Sequence, residues 1–503
     1  MIKQIYLLLL FTFTQGFNAL GQSKYDYNWI FGGSYNGEVH NGNILDFNKN
    51  RKIDTLLLGL KMGANNAEIS DREGNLLFYT NGCRVIDSTH QIMMGGDSIS
   101  YGDAWEKFCH DEWGSGYPTF RNTIALPDPG NEQGYYLLHK RGEWGDGTAV
   151  YAPEVYYSYI DMEGNGGKGR VTERNKIIFS TSNLVHGYMT ACKHSNGKDW
   201  WVIQMERDTN LYFKIRISSD TITVDSQSIG PRFVQDSNPG QAVFSPDGSK
   251  YILYNPANEA LIYDFDRETG ELSNLHQVEV QDSGYFYGVA VSSNSRYLYL
   301  SALFDLYQVD LGADDMQSSL THIDHIDGFK DPISFSYFNF SQLAPDCKIY
   351  IVSGTTNNHL HVINKPNEKG KACDFRQHSL FLPKRNKNFS IPNFPHFRID
   401  EEQICDSTLT MIPRAFWVAD KIDVSIYPNP VRDNMTLRFS SPVTKEMSYT
   451  LYDIQGRQVK SGRLPMLKEE VNIDIGDKKS GLYMLQITGE RGELLWGGKV
   501  VVE

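Results

Sequence analysis

The chain has 503 residues, a formal net charge of −13, and 44 Gly, 29 Tyr and 26 Phe. That length suffices for a well-buried core and more than one domain, and the residue balance favours strands and turns over helices. The acidic balance, with no phosphate-neutralising basic stretch, excludes nucleic acid as a partner.

At the start, Lys3 precedes a nearly unbroken apolar run from Ile5 to Phe13, and Ala19-Leu20-Gly21 offers small residues where a signal peptidase inspects the chain. The run is too short to span a bilayer, so residues 1–21 read as a cleaved secretory signal with a mature start at Gln22. No Cys lies near that cleavage point, which argues against a lipid anchor.

From Gln22 to about Cys405 one unit recurs: an apolar strand, a polar turn bearing Gly, and a second strand rich in Tyr and Leu. Clear copies are Ser70-Asp-Arg-Glu-Gly-Asn-Leu-Leu-Phe-Tyr79, Lys193-His-Ser-Asn-Gly-Lys-Asp-Trp-Trp-Val-Ile203, Phe244-Ser-Pro-Asp-Gly-Ser-Lys-Tyr-Ile-Leu253 and Leu343-Ala-Pro-Asp-Cys-Lys-Ile-Tyr-Ile-Val352. Weaker copies begin at Pro127 and Val291. The period of roughly fifty residues belongs to propeller blades, whose radial sheets solve the edge problem of an open array. In the turns, Asp caps with its carboxylate and Gly takes the left-handed position. Ser295 and Cys347 stand where that Gly would be, which predicts mild strain there. The fold expected is all-β: a β-propeller over residues 22–405, with seven blades favoured over six, then a linker over 406–421 and a small Ig-like β-sandwich over 422–503. The seventh blade is assembled from Asn28–Gly32 and Gly42–Phe47, completed by Phe397–Ile399.

Six Cys, at 83, 109, 192, 347, 373 and 405, permit disulfides in an exported protein and fit no zinc spacing. Cys83 with Cys109 and Cys373 with Cys405 are the pairs nearest in sequence.

Chemistry is sparse. No phosphate-cradling glycine loop, zinc helix motif or nucleophile elbow occurs, so no cofactor, metal or catalytic residue is predicted. His359 and His361 share a strand face and read as two surface histidines on an outer strand. His322, Asp324, His325 and Asp327 read as a solvated loop, and Asp161, Glu163 and Asn165 as a Gly-rich turn that lacks the Glu a calcium loop needs. The insertion from Gly95 to Phe120 concentrates aromatics beside carboxylates, a combination suited to sugars or basic peptides. Tyr101, Trp105, Glu106, Asp111, Trp113 and Tyr117 are the ligand-binding candidates, with Trp144 on a second aromatic loop. The competing expectation is that these rings pack beneath their own loop as a satellite core.

At the far end, Met435, Leu437 and Phe439 alternate with polar residues, as do Val471, Ile473 and Ile475, and then Tyr483, Leu485 and Ile487. This period-two pattern marks strands with one buried face. Val424-Ser-Ile-Tyr-Pro-Asn-Pro430, Tyr449-Thr-Leu-Tyr-Asp-Ile-Gln-Gly-Arg457, Ser480-Gly-Leu-Tyr-Met-Leu-Gln-Ile487 and Lys499-Val-Val-Val-Glu503 together resemble the type A C-terminal sorting domain of the type IX secretion system.

The resemblance implies partnership with the type IX machinery and passage through the periplasm and outer membrane. It further implies tail removal by the system's sortase-like protease, then release or attachment to surface lipopolysaccharide. The remaining chain resembles a family of exported bacterial propeller-like proteins. It does so at Asn28–Gly32, Ile69–Asp71 with Gly74–Gly82, Thr190–Trp201, Ile391-Pro-Asn-Phe-Pro-His-Phe-Arg398 and Cys405-Asp406, a likeness that brings no catalytic residues with it. The function expected is a secreted or cell-surface propeller that binds a glycan or protein without catalysis. The alternative is an extracellular polysaccharide hydrolase or lyase, which needs paired carboxylates at the channel mouth.

Overall fold

The computed structural model describes residues 22–32, 41–49, 51–63, 65–110, 116–144, 150–234, 240–280, 287–386, 389–401, 424–439, 447–453, 458–465, 468–489 and 494–503. The expected signal over 1–21 and linker over 406–421 lie outside them. Among the described residues, seven antiparallel sheets follow one another along the chain from Asn28 to Asn386. The first two have three strands each and the other five have four.

In the last five sheets the first strand is short and mostly buried, and the last is more exposed than the first. Thr123–Asp128, Ala191–Lys193, Gln241–Phe244, Tyr287–Val291 and Ser341–Leu343 are the inner strands. The outer strand Ile222–Ser228 shows the contrast, since almost all of it faces solvent. This gradient follows from a radial arrangement, in which only the innermost strand has neighbours on every side. Inner strands of successive sheets touch, and the final strand of the seventh sheet, Phe375–Asn386, lies against all three strands of the first. There Asn43 and Lys384 exchange two hydrogen bonds of 2.8 Å, closing the circle. The fold is an all-β propeller.

The turns behave as their chemistry demands. Gly74, Gly197 and Gly248 adopt positive φ, and Ser295 and Cys347 take the same left-handed conformation at 56° and 59°. The preceding side chain caps each loop: Asp247 Oδ1 accepts from the Ser249 amide at 3.0 Å, and Asn294 Oδ1 from the Arg296 amide at 3.1 Å. The same turn chemistry therefore recurs even where Gly is missing.

One expectation about closure needs correcting. Phe397–Ile399 forms no strand, and the first sheet consists of Asn28–Gly32, Asn41–Asp46 and Lys52–Leu57 alone. Instead, residues 389–400 run as irregular chain through the centre of the ring. At one end Phe389 packs on Phe120 and Phe340, and the Asn393 amide donates to Asn66 O at 2.9 Å. Midway, Phe394 meets Trp29 and Phe397 meets Trp200. At the other end Arg398 reaches Asp26, and Asp400 pairs with Arg267. Pro392 and Pro395 deny this stretch the regular amide donors of a ladder, so side chains anchor it.

Residues 424–503 form a separate two-sheet unit. A three-stranded sheet contains Val424–Tyr427, Asn434–Phe439 and Glu470–Asp474; a four-stranded sheet contains Met447–Asp453, Gln458–Leu464, Gly481–Gly489 and Leu494–Val502. Their strands pair only with one another, and Met435, Leu437, Leu451, Ile475, Leu485 and Ile487, all fully buried, fill the space between the sheets. The alternation in the sequence is thus a β-sandwich core.

Cys83 and Cys109 form a disulfide. The expected partnership of Cys373 with Cys405 does not hold: Cys373 is a buried free thiol, as is Cys192, and Cys405 lies outside the described residues. Cys347 is disulfide-bonded.

Candidate functional site: the channel and the stapled lobe

Beside residues 389–400 lies a cleft between Phe394, Pro395 and His396 and the inner strands opposite. Its walls are Val243, Phe244, Ala290, Val291 and Leu343, with Ser341, Gln342, Asp26 and His396 as polar groups. The volume within it that a water-sized sphere can occupy is about 40 Å³, room for about three waters and far below the size of a sugar ring. Asp26 is the one carboxylate among these lining residues, and it is held by Arg398 through bonds of 2.5 and 2.8 Å. Burial lowers the imidazole pKa of His396 well below the ordinary value, and the charges of Arg398 and Lys193 add to that effect.

Further up the channel the inner strands are tied by buried polar groups. Gln241, fully buried, bridges three sheets: its Oε1 accepts from the amides of Val289 at 3.2 Å and Ser341 at 3.1 Å, and its Nε2 donates to Ser341 O at 2.7 Å. Arg121, 2% exposed, donates from Nη2 to Asn393 Oδ1 at 2.6 Å and to Gln342 Oε1 at 3.3 Å. Glu68 is also fully enclosed; burial raises its carboxyl pKa well above the usual range, partly offset by the Ile30 amide bonded to it. Sequence reading missed these residues. Nothing in a single sequence distinguishes a buried Arg or Gln from an exposed one.

The predicted ligand residues separate into two groups. Trp105 and Tyr117 are buried with Cys83, Ala104 and Cys109 in a small satellite core. Trp105 Nε1 donates to Cys83 O at 3.1 Å, and Tyr117 Oη donates to Ser100 O at 3.2 Å. Their rings are therefore not open to a ligand, which corrects the expectation for these two. Tyr101 is half exposed and leans on Trp105 at 5.4 Å between centroids, while Glu106 is exposed and lies 2.8 Å from His110. Asp111 and Trp113 lie outside the described residues, as does the Trp144 side chain.

The histidines also differ from expectation. His359 and His361 are buried rather than on the surface, because their strand Asn357–Ile363 is covered by Phe375–Asn386. Burial lowers their pKa values to about 4 and about 3. His322 and His325 both bond Asp305 Oδ1, at 2.6 and 2.9 Å, and His378 bonds Asp327 at 2.7 Å. Among the described residues no group of three or more His, Cys, Asp or Glu is disposed to hold a metal ion. Asp161 Oδ1 simply accepts from the Glu163 amide in a Gly-rich turn.

Residues 425–503 match the family of the secretion system C-terminal sorting domain. The match coincides with the two-sheet unit and implies interaction with the type IX secretion machinery and export from the cell. Among the described residues no helix is long and apolar enough to cross a membrane. No curated protein matches the chain. Solved structures with a similar course include a Lactobacillus plantarum protein, 12% identical over 74% of this chain and 97% of that one, TM-score 0.40. A putative 6-phosphogluconolactonase from Bacteroides fragilis is 11% identical over 72% and 97%, TM-score 0.39. The Dos1 propeller is 12% identical over 65% and 91%, TM-score 0.35.

Proposed function

We propose that this is a non-enzymatic binding or adhesion propeller at the cell surface or in the medium, with residues 22–405 as cargo and 422–503 as a removable sorting unit. The sorting-domain match is the observation that carries the export half of this reading. A secretory signal over 1–21 delivers the chain to the periplasm, the type IX machinery moves it outward, and its sortase-like protease severs the tail in the 406–421 linker. Attachment to surface lipopolysaccharide is the fate that keeps the ring on the cell.

Binding rather than catalysis is supported by the channel. Its cleft is too small for a polysaccharide, and the one carboxylate among its lining residues is neutralised by Arg398. Glycosidic hydrolysis requires two carboxyl groups about 5–10 Å apart with room for the substrate between them. A glycan or protein ligand instead meets the stapled lobe, where Tyr101 and Glu106 are exposed and Trp105 and Tyr117 pack in its core; Asp111, Trp113 and Trp144 are the further candidate ligand residues.

Two experiments test the reading separately. A chain lacking 422–503 accumulates in the periplasm, and normal export of that truncation overturns the sorting role. A glycan array probed with the intact ring gives binding that Tyr101→Ala and Trp113→Ala together abolish; binding that survives both changes overturns the lobe as the site.

A further inference from the structure

Two cations sit in the interior of the ring without a carboxylate partner. Arg121 and Lys140 are 2% and 1% exposed, and among the described residues neither forms an ion pair. Lys140 Nζ donates to the carbonyls of Val185 and Gly187 at 2.6 and 2.8 Å. The Gly187 amide in turn donates at 3.2 Å to Oδ1 of Asn122, the residue after Arg121. Arg121 Nη2 is satisfied by the neutral amide oxygens of Asn393 and Gln342, but Nη1 is buried with no hydrogen-bond partner. The next residue, Asn122, and Asn339 beside Phe340, over whose ring the guanidinium lies at 5.8 Å, each bury an amide Nδ2 without an acceptor.

Enclosing a guanidinium without a counter-charge costs several kcal/mol, and each unsatisfied buried donor adds to that cost. Desolvation alone lowers the Arg121 pKa to about 9, which leaves the group charged at neutral pH. Acceptors with no partner are buried elsewhere in the ring, at Glu68 Oε2 and Asn66 Oδ1, but at Arg121 and the adjacent Asn122 the shortage is of acceptors, and Arg121 has no counter-charge. Water supplies acceptors but no charge. A monatomic or triatomic anion supplies both.

We infer that Arg121 anchors a buried site for a small anion, either chloride or a single carboxylate group, at the end of the channel where Phe389 enters. The Nη1 edge faces the anion, and the amides of Asn122 and Asn339 are the neutral donors nearest in the chain. Such a ligand binds the folded ring and not the unfolded chain, so it stabilises the ring by mass action. This inference is independent of what the outer surface of the ring binds.

The test is thermal unfolding of the tailless ring expressed in the periplasm and of the full chain, at fixed ionic strength set with sodium methanesulfonate. Replacing that salt stepwise with sodium chloride raises the unfolding midpoint saturably, and Arg121→Gln removes the dependence while Arg121→Lys keeps part of it. Sodium acetate in place of chloride separates the two sources: a rise with acetate alone identifies a carboxylate ligand, and a rise with chloride alone a halide. Crystals of the unaltered protein soaked in bromide give an anomalous peak within hydrogen-bonding reach of Arg121 Nη1. A midpoint indifferent to both anions, or bromide peaks only elsewhere, overturns the proposal, and the crystal result decides even if Arg121→Gln fails to fold.

Discussion

Arg398 clasps Asp26 across 372 residues of chain, Nη1 to Oδ1 at 2.5 Å and Nη2 to Oδ2 at 2.8 Å, with both side chains almost wholly buried. The bidentate fork is the strongest geometry a guanidinium and a carboxylate can adopt. It fixes the end of the central segment to the beginning of the ring. Removing one partner strands a buried charge, so Asp26→Ala or Arg398→Ala destabilises the ring by about 3–5 kcal/mol. The double change Asp26→Leu with Arg398→Met costs much less, because no charge is left behind. Urea unfolding of the four proteins checks this; equal losses for single and double variants would sink the explanation.

Gln241 offers a second test of closure. Its amide holds the fifth, sixth and seventh sheets together through three bonds to buried main-chain groups. Gln241→Leu keeps the volume but leaves those groups unpaired, at about 1–3 kcal/mol each by the cost of unsatisfied buried groups. Hydrogen exchange is the direct readout: the amides of Val289 and Ser341 lose protection more than those of the fourth sheet.

Close approach of backbone is a third. A Cβ added at Gly288 falls 2.1 Å from Asn339 O and 2.9 Å from Phe340 Cα, both main-chain atoms that cannot swing aside. Gly288→Ala therefore forces the sixth and seventh inner strands apart and lowers the thermal midpoint. An unchanged midpoint would show that the inner strands tolerate separation.

The pH dependence follows from buried histidines. Burial lowers the pKa of His139 to about 3, where Ser100 Oγ and Ser158 Oγ bond its two nitrogens at 2.8 and 3.0 Å. His361 is likewise lowered to about 3. Below the unfolded value near 6.5 the unfolded chain takes up protons that these two folded imidazoles refuse. Their stabilising effect is thus complete above pH 6.5 and is lost as pH falls toward 3, at up to about 3 kcal/mol per pH unit for the pair. Denaturant titrations between pH 7 and 5 read this effect together with the like contributions of His359 and His396 and the opposing one of Glu68, and His139→Gln lowers the slope by up to about 1.4 kcal/mol per pH unit.

The staple and the tail give one further expectation. Joining Cys83 to Cys109 closes a loop with sequence separation 26, worth about 3 kcal/mol in the chain-entropy view. Reduction should expose residues 100–110 to limited proteolysis while the fully buried Leu485 core of the sandwich stays resistant. Simultaneous cleavage of both would argue against separate units.

Much of this architecture was readable from the residues. Period-two alternation at Met435–Phe439 and Tyr483–Ile487 translates directly into the sandwich core, because a strand shows alternate faces to alternate environments. The Asp-Gly turns were equally plain, and Ser295 and Cys347 were recognisable as stand-ins because the flanking pattern had not changed. The central segment was not readable. With Pro392, Pro395 and no periodicity, its order comes from contacts with residues hundreds of positions away. Likewise Trp105 and Tyr117 carried a composition suited to ligand binding, but a satellite core uses the same aromatics. His359 and His361 read as surface residues of an outer strand because alternation alone does not show that a further strand, Phe375–Asn386, lies outside theirs.

The clasp of Arg398 on Asp26 has a topological result. With Ser23 also bound to Glu401, the start and finish of the ring are neighbours joined by side chains rather than by an interleaved strand. A short peptide bridging Glu401 to Gln22, with new ends opened between the fourth and fifth sheets, should give a rearranged chain that closes into the same circle.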